Sequence, residues 1–454
     1  MIAIIGGGIT GLSAAYELTR RGVPFRLFEA SSRPGGLILT EHVDGFTIEA
    51  GPDAMLAQKP AAIQLCEELG LGPRLISTTP PRAAHILAGG RLHALPSPSV
   101  LGIPLTWRAL AEYDLLPWRA RARLALEPLV RARRGDDESV AQFFGRRFGR
   151  RTVDLIAEPL IGGIHAGDIE TLSMPALFPR FTEAERGRGG VLRAFRRSHR
   201  ARGEGLFRSL ASGMGEMVAA IAARLPPGSI TYEAPVDALG RDALGWRIMA
   251  GGIETRARTV ILAVPAHAAA RLLAPLDARA AGLCASVPYV STASVALAWP
   301  RRAIAHPLAG SGLVVARRHS DLRITACTWV SSKWAGRAPA GSALLRIFIG
   351  GAHDPGAVDL SDGELARLAE DEIRGVLRIE GPPILTRVHR WRNAGAQYIV
   401  GHLARAREVE ARLSALGGLQ AAGSGFRSIG IPDCVADGRA AAAAAAEYAK
   451  MNPA

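Results

Sequence analysis

The glycine cluster at residues 6–11, directly behind an apolar run, restricts this chain more than any other feature. Ile2 to Ile5 read as a strand, Gly6 to Gly11 as a turn, Leu12 to Arg21 as a helix and Phe25 to Glu29 as a second strand. Gly6, Gly8 and Gly11 satisfy GxGxxG. The first glycine allows a tight turn, the second lets the backbone approach a pyrophosphate, and the third lets helix and strand pack closely. The helix N-terminus behind them presents free amides and the positive end of its dipole to a phosphate. Glu29, ending the second strand, is suited to accept hydrogen bonds from a ribose. A glycine-rich structural turn is the competing explanation, but the whole βαβ unit favours a dinucleotide site at Gly6, Gly7, Gly8, Ile9, Thr10, Gly11 and Glu29.

A chain of 454 residues, 48% of them apolar, predicts a globular protein of two or three domains. Its longest apolar stretches, Val260 to Pro265 and Ala440 to Ala446, fall short of the ~20 residues that span a bilayer. Met1 runs straight into Ile2 and the glycines without a basic leader, so a cytoplasmic protein is expected. Cys66, Cys284, Cys327 and Cys434 form no CxxC pair, which predicts no metal site, no disulfide framework and four buried thiols. The net charge of +14 rests almost entirely on arginine. It suits a polyanionic substrate, an anionic membrane surface or nucleic acid, or reflects arginine-rich composition alone. With 6% aromatics and no basic-aromatic block, no nucleic-acid partner is expected.

From about Thr106 to Arg134, Trp107, Leu110, Leu115, Leu116, Trp118, Leu124 and Leu126 interleave with arginines. These are basic amphipathic helices, either an ordinary surface pair or a peripheral contact with the inner face of a membrane. Gly187 to Gly205 read as a mobile basic loop, Leu210 to Leu225 as a helix, and Ser229 to Val236 and Thr259 to Val264 as strands. Ser294 to Ala298, Ile324 to Trp329 and Ala343 to Ile349 alternate as in an antiparallel sheet, and Ala440 to Ala449 predict a closing helix.

Past the first unit the chain reads Arg33-Pro34-Gly35-Gly36, in which Arg33 can face phosphate, and then GFTIEAGPD from Gly45 to Asp53. These segments resemble the flavin amine-oxidase superfamily. Glu158 to Phe178 (EPLIGGIHAGDIETLSMPALF), Arg390 to His402 (RWRNAGAQYIVGH) and Gly423 to Gly438 (GSGFRSIGIPDCVADG) are similar to one branch, the oxygen-dependent protoporphyrinogen and coproporphyrinogen oxidases of haem biosynthesis.

That resemblance implies an α/β fold with a Rossmann-like FAD-binding domain from 1–55, 206–270 and 388–454. An antiparallel-sheet substrate domain is expected from 56–95 and 271–387, with a helical entrance or membrane-contact region at 96–205. It implies FAD lined by the glycine turn, Glu29, Ala30, Arg33, Gly36, Leu37, Gly51, Pro52, Asp53, Ala54, Val236, Ile429, Gly430 and Ile431. No cysteine or histidine falls in Gly423 to Ile431, so FAD is expected without a covalent link. Gly163 is implied to present its carbonyl to the tetrapyrrole. Lys59 reads either as a propionate ligand or as a solvated surface lysine. His165 stands where the family usually has an aromatic residue, and reads as a packed histidine before it reads as a base. Ala396 replaces a usual proline, and Ala94 to Gly102 lack an arginine that some members use for a propionate. No side chain is assigned as the catalytic acid or base, because the flavin carries the difficult chemistry.

The implied reaction takes six electrons from a porphyrinogen in three rounds, each closed by molecular oxygen with release of hydrogen peroxide. GIPDC and ITACTW favour coproporphyrinogen III slightly over protoporphyrinogen IX. Transfer of product to the next haem-pathway enzyme is a further implied partnership. The alternatives are an amine oxidase or carotenoid desaturase of the same superfamily, and a flavin-containing porphyrin-binding protein without turnover.

Overall fold

The computed structural model describes residues 1–133, 135, 137–188, 190–198 and 205–452. Its parallel sheet runs in the order Ile230–Thr231, Phe25–Phe28, Ile2–Ile5, Thr259–Leu262, Leu419–Ala421, so three distant stretches of chain meet side by side. Successive strand residues face opposite sides. Ile2 and Ile4 enter one core with helices Ile9–Arg20, Ala61–Glu68, Gly215–Ala222 and Ile431–Met451. Ala3 and Ile5 enter another, with Ala266–Leu273, Ala278–Ala285 and His402–Ala415. Helices on both faces explain why Ile2–Ile5 is apolar throughout rather than alternating. The closing helix lies tight against the first because its contact face is small: a Cβ on Gly438 would sit 2.1 Å from the Thr10 carbonyl oxygen, and Ala441, Ala442, Ala445 and Ala446 are buried.

The second sheet has seven strands, in the order Leu385–Ala396, Tyr289–Pro300, Ser342–Gly350, Ile324–Trp329, Gly312–Val315, Ala84–Ala88, Arg91–Ala94. Helix Asp362–Leu377 covers one face. Ser361 and Glu364 form a capping box at its start, and Leu365, Ala369, Ile373 and Leu377, four apart, make its buried stripe. Helices between Trp107 and Ser198 form a third core with Ile86 and Ala88 of this sheet and with Ala316 just past its strand Gly312–Val315. Among the described residues no helix is long and apolar enough to cross a membrane.

Several expectations need correction. The first helix begins at Ile9, not Leu12, because Gly8 is its N-cap and its carbonyl already accepts from the Leu12 amide at 2.9 Å. The closing helix begins at Ile431 rather than Ala440. Leu210 to Leu225 divides into strand Phe207–Leu210 and helix Gly215–Ala222, and Ser229 to Val236 keeps only Ile230–Thr231 as strand before Val236–Asp242 starts another. Gly187 to Gly205 is not one loop: Gly187 and Arg188 end helix Pro179–Arg188 and Val191–Ser198 is helical, with 189, 199 and 200, and 201–204 outside the described residues. The seven-stranded sheet holds one parallel pair, Gly312–Val315 against Ala84–Ala88. A boundary at 388 cuts Leu385–Ala396, which pairs along Tyr289–Pro300. A boundary at 271 cuts helix Ala266–Leu273, and one at 56 separates helix Ala61–Glu68 from the parallel-sheet core it packs into. All four cysteines are free and buried.

Candidate active site

The three motif glycines do different work. A Cβ on Gly6, whose φ is +105°, would lie 2.5 Å from the Ala263 oxygen, and one on Gly11 would lie 1.9 Å from the Gly6 oxygen, so the turn requires both. A Cβ on Gly8 would meet nothing within 4 Å. Gly8 therefore leaves open space in front of the helix N-terminus, whose first amides have no carbonyl partner within the helix. The segment after Glu29 closes one side: the Gly35 amide donates to the Gly7 oxygen at 2.8 Å, and a Cβ on Gly36 would be 3.2 Å from the Gly8 Cα.

Glu29 Oε2 accepts from the Gly7 amide at 2.7 Å and Oε1 from Ser31 at 2.6 and 2.8 Å. A carboxylate has about four lone-pair positions, which leaves capacity for a ribose. Arg33 is placed otherwise than expected: its guanidinium is spent on the Pro34, Gly36 and Ile38 carbonyls and shapes the loop instead of facing open space. Ala30 is exposed and Val236 half-buried. Leu37 and Ile429 are 42% and 37% exposed, apolar surface suited to a planar ligand. Gly430 caps the closing helix and Ile431 is its first residue.

The second sheet holds the turn at Ala50 to Ala54. Arg346, buried, donates to the Gly51 oxygen at 2.6 Å and the Ala50 oxygen at 2.8 Å, while Trp391 Nε1 also donates to Ala50 at 2.8 Å. Gly51 admits no side chain, since a Cβ would stand 1.7 Å from the Leu37 oxygen. Pro52 and Ala54 are half-buried on either side of Asp53. Asp53 Oδ2 accepts from Lys333 at 2.7 Å and from Trp334 Nε1 at 3.0 Å. Burial alone would raise this carboxyl, but the Lys333 charge and these bonds, with Arg346 behind them, hold it at about 2. Burial lowers Arg346, with Asp53 and Glu49 opposing.

A depressed carboxyl stabilises the fold above its unfolded value, and that contribution is lost as pH falls through the folded one. Lys333→Gln is therefore expected to lower Tm at neutral pH, with the difference from wild type closing as pH falls from about 4 to about 2. Thermal melts across that range check it, and a constant difference would mean that Lys333 acts through packing.

The three segments behind the branch resemblance meet one another. Tyr398 accepts the Ser173 amide on its backbone oxygen at 2.7 Å and donates its hydroxyl to the Ser424 oxygen at 3.1 Å. Its ring stacks on His402 at 3.7 Å, and His402 Nε2 lies 2.7 Å from the Phe426 oxygen. Asp137 ties the Ser173 hydroxyl to the Gly401 amide, both at 2.7 Å. Gln397, buried, donates to the His165 oxygen at 3.0 Å.

Residues Val153–Gly162 form a π-helix with Pro159 inside it, and Gly163–His165 follow in a short helical turn ended by Ala166 at φ 48°. The His165 ring packs edge-on against Phe178 at 5.8 Å, and burial pushes it down to about 4. Burial thus disfavours the charged imidazolium form of this ring. Gly163 lines a cavity of about 260 Å³ between this π-helix and the ends of Ile324–Trp329 and Ser342–Gly350. Lys59 is exposed, and its ammonium is taken by Asp433 at 2.6 Å.

Sequence reasoning missed Arg346, Trp391, Lys333 and Gln397. Arg346 sat in an alternating strand, where a buried arginine between Leu345 and Ile347 was the available signal. Trp107 and Trp118, 62% and 69% exposed, lie under Arg196 at 4.9 Å and Arg119 at 5.4 Å. Leu126 and Leu129 of the same helical region are also exposed.

A model of the flavin containing amine oxidoreductase family matches residues 9–446. The chain is 35% identical to a coproporphyrinogen III oxidase of Bacillus subtilis (strain 168), across 98% of each chain. It is 32% identical to a coproporphyrinogen III oxidase of Propionibacterium freudenreichii subsp. freudenreichii, across 96% of this chain and 89% of that relative. It matches a crystal structure described as a protoporphyrinogen oxidase, from Exiguobacterium sp. 255-15, with TM-score 0.87 and 30% identity over 98% of both chains.

Proposed function

Because the chain belongs to the flavin-containing amine oxidoreductase family, we propose that it oxidises coproporphyrinogen III to coproporphyrin III with FAD as its cofactor. The similarity to coproporphyrinogen III oxidases over 98% of the chain carries this reading. The mutual bonding of Leu172 to Met174, Tyr398 to His402 and Ser424 to Phe426 beside the glycine turn supports it. FAD, when bound, accepts a hydride equivalent in each round. Gly8 would admit its pyrophosphate, Glu29 would hold its ribose, and Leu37, Ile429 to Ile431 and the Gly51 to Ala54 turn would line the rest of it. Gly163, whose carbonyl accepts the Ala166 amide at 3.4 Å, would border the tetrapyrrole. Overall, one porphyrinogen and three O2 give one porphyrin and three H2O2.

Addition of reduced coproporphyrinogen III to the aerated protein tests this. A growing Soret band with peroxide release is expected, and binding without a band would favour a porphyrin-binding protein. Protoporphyrinogen IX is the second substrate reading, favoured by the name of the Exiguobacterium structure. Exposed Trp107 and Trp118 are read as a peripheral contact, with an anionic membrane edge or with the enzyme that takes the product.

The net charge of +14 favours the substrate with four propionates over the one with two. Attraction between exposed charges weakens as the Debye length falls from ~10 Å at 0.1 M salt to ~3 Å at 1 M. The kcat/KM for coproporphyrinogen is expected to fall more steeply with salt than that for protoporphyrinogen. Equal slopes in a steady-state salt series would show that the surface charge does not steer substrate.

A further inference from the structure

Residues 397–402 donate to carbonyls of two different segments. Gln397 Nε2 donates to the His165 oxygen at 3.0 Å and to the Gly395 oxygen at 3.2 Å. The Tyr398 hydroxyl donates to the Ser424 oxygen at 3.1 Å, and His402 Nε2 lies 2.7 Å from the Phe426 oxygen. A carbonyl only accepts, so Nε2 carries the ring proton. The two rings stack 12° from parallel with centroids 3.7 Å apart, so their donors reach carbonyls two residues apart. On the other side the backbone joins 171–173: the Ser173 amide donates to the Tyr398 oxygen at 2.7 Å, and the Val400 amide to the Thr171 oxygen at 2.9 Å.

These side chains gain position from their bonds more than stability. Gln397, Tyr398 and His402 are all buried. Gln397 Oε1 and His402 Nδ1 have no hydrogen-bond partner among the described residues. Pairing the Phe426 oxygen therefore leaves another acceptor, Nδ1, unpaired in its place, and a buried acceptor without a donor costs at least what one neutral hydrogen bond returns. Burial also disfavours the charged ring, so no charge strengthens the bond to Phe426. Neither segment has slack to absorb a displacement. Asp437 accepts from the Gly423 amide and Arg427 Nε, both at 2.7 Å, and from the Ser428 hydroxyl at 3.2 Å, which binds 423–428 into one unit leading to Ile429. A Cβ on Gly425 would stand 2.7 Å from the Ala266 nitrogen, and one on Gly167 would stand 2.1 Å from Gln397 Oε1.

We propose that Gln397, Tyr398 and His402 are positioning residues for the oxidation, a brace that fixes the spacing between the segment carrying Gly163 and the segment leading to Ile429. The assignment rests on the porphyrinogen and FAD reading above, in which the first segment borders the substrate and the second the cofactor. The three side chains act through those segments and not on reacting atoms. Reaction needs atoms held about 3–3.5 Å apart, and a misplacement of about 1 Å can cost about 100-fold. Directional bonds from buried, stacked rings hold such a spacing where apolar packing alone would let the segments slide.

His402→Leu removes one tooth of the brace. It exchanges one unpaired acceptor, Nδ1, for another, the Phe426 oxygen, so Tm is expected to move little. The rate of flavin bleaching by coproporphyrinogen III in anaerobic single turnover is expected to fall about tenfold or more, with the Kd for coproporphyrin III little changed. The visible circular dichroism of bound FAD, which needs no turnover, should change with it. His402→Gln can place an amide N–H where Nε2 stands and should recover most of both signals. Wild-type bleaching and dichroism in folded His402→Leu would overturn the proposal, and so would a Gln variant no better than Leu, since packing of the ring would then be what matters. If His402→Leu fails to fold, Tyr398→Phe, which removes one oxygen and keeps the stack, carries the test: the same direction is expected, and an unchanged rate and dichroism overturn the brace. A wild-type protein that holds FAD and binds coproporphyrin III yet is never bleached by the porphyrinogen would remove the oxidase reading instead, while the dichroism of His402→Leu would still decide the brace.

Discussion

A Gly8→Val protein is expected to fold and to carry no flavin. The expectation depends on the contrast between neighbouring glycines. At Gly11 a Cβ would drive into the Gly6 carbonyl at 1.9 Å, so Gly11→Val should break the turn and reduce soluble protein. At Gly8 a Cβ would meet nothing within 4 Å, and the backbone angle, φ −66°, is open to any residue. A valine there costs the fold little and occupies the space in front of the helix amides, where a pyrophosphate has to approach the backbone. About 1.4 kcal/mol of lost affinity is already tenfold, and overlap of a branched side chain with a phosphate exceeds that. Flavin absorbance per polypeptide should therefore fall to the background, while circular dichroism stays native. A folded Gly8→Val protein with full flavin content would remove the cofactor assignment of this turn.

The second large effect is expected at Arg346. Its guanidinium bridges two consecutive carbonyls, Ala50 and Gly51, from beneath the turn that leads into Asp53. No water-exposed alternative is at hand, because Arg346 is buried. Arg346→Met keeps most of the volume and removes the two bonds, leaving Trp391 and a longer bond from the Ser294 hydroxyl to serve Ala50 and nothing to replace Arg346 at Gly51. Each buried acceptor left unpaired costs about 1–3 kcal/mol. The turn relaxes instead, and kcat/KM is expected to fall about 100-fold, with a shifted flavin spectrum as a sign that the ring has lost its seat. Arg346→Lys should rescue little, since one ammonium cannot present the planar fork that spans two carbonyls. Normal spectrum and turnover in Arg346→Met would show that the turn is held by chain geometry alone.

The parts of the site legible in advance were those whose chemistry is written in a short stretch of chain. The glycine turn, Glu29 and the Gly51 to Asp53 turn each combine a local backbone requirement with neighbouring residues, and the structure brings them to one end of the parallel sheet. Arg33 misled for the same reason: a flexible cation near a phosphate turn has many local targets, and three nearby carbonyls took it. Lys59 found Asp433, 374 residues away, which no window of sequence could reveal.

Local pattern also decided element type better than element limits. Helix Ile431–Met451 begins nine residues before the alanine run because Gly430 can cap it and the small residues at Gly438 and Ala441 let it lie on the first helix. Helices from Pro179 to Arg188 and from Val191 to Ser198 form in a Gly- and Arg-rich stretch because Phe181, Val191 and Leu192 find a core to enter.

By itself, then, the amino-acid order determined a dinucleotide fold opening at residue 2, the kind of cofactor, and three separated segments that meet one another in the fold. Those properties follow from backbone geometry and short-range periodicity, which few residues suffice to specify. Only the tertiary structure decided which charges pair, which turn Arg346 supports, and where a strand such as Leu385–Ala396 belongs. Those depend on contacts between residues hundreds of positions apart, where burial sets the cost of every unpaired group, and burial is a property of the assembled fold.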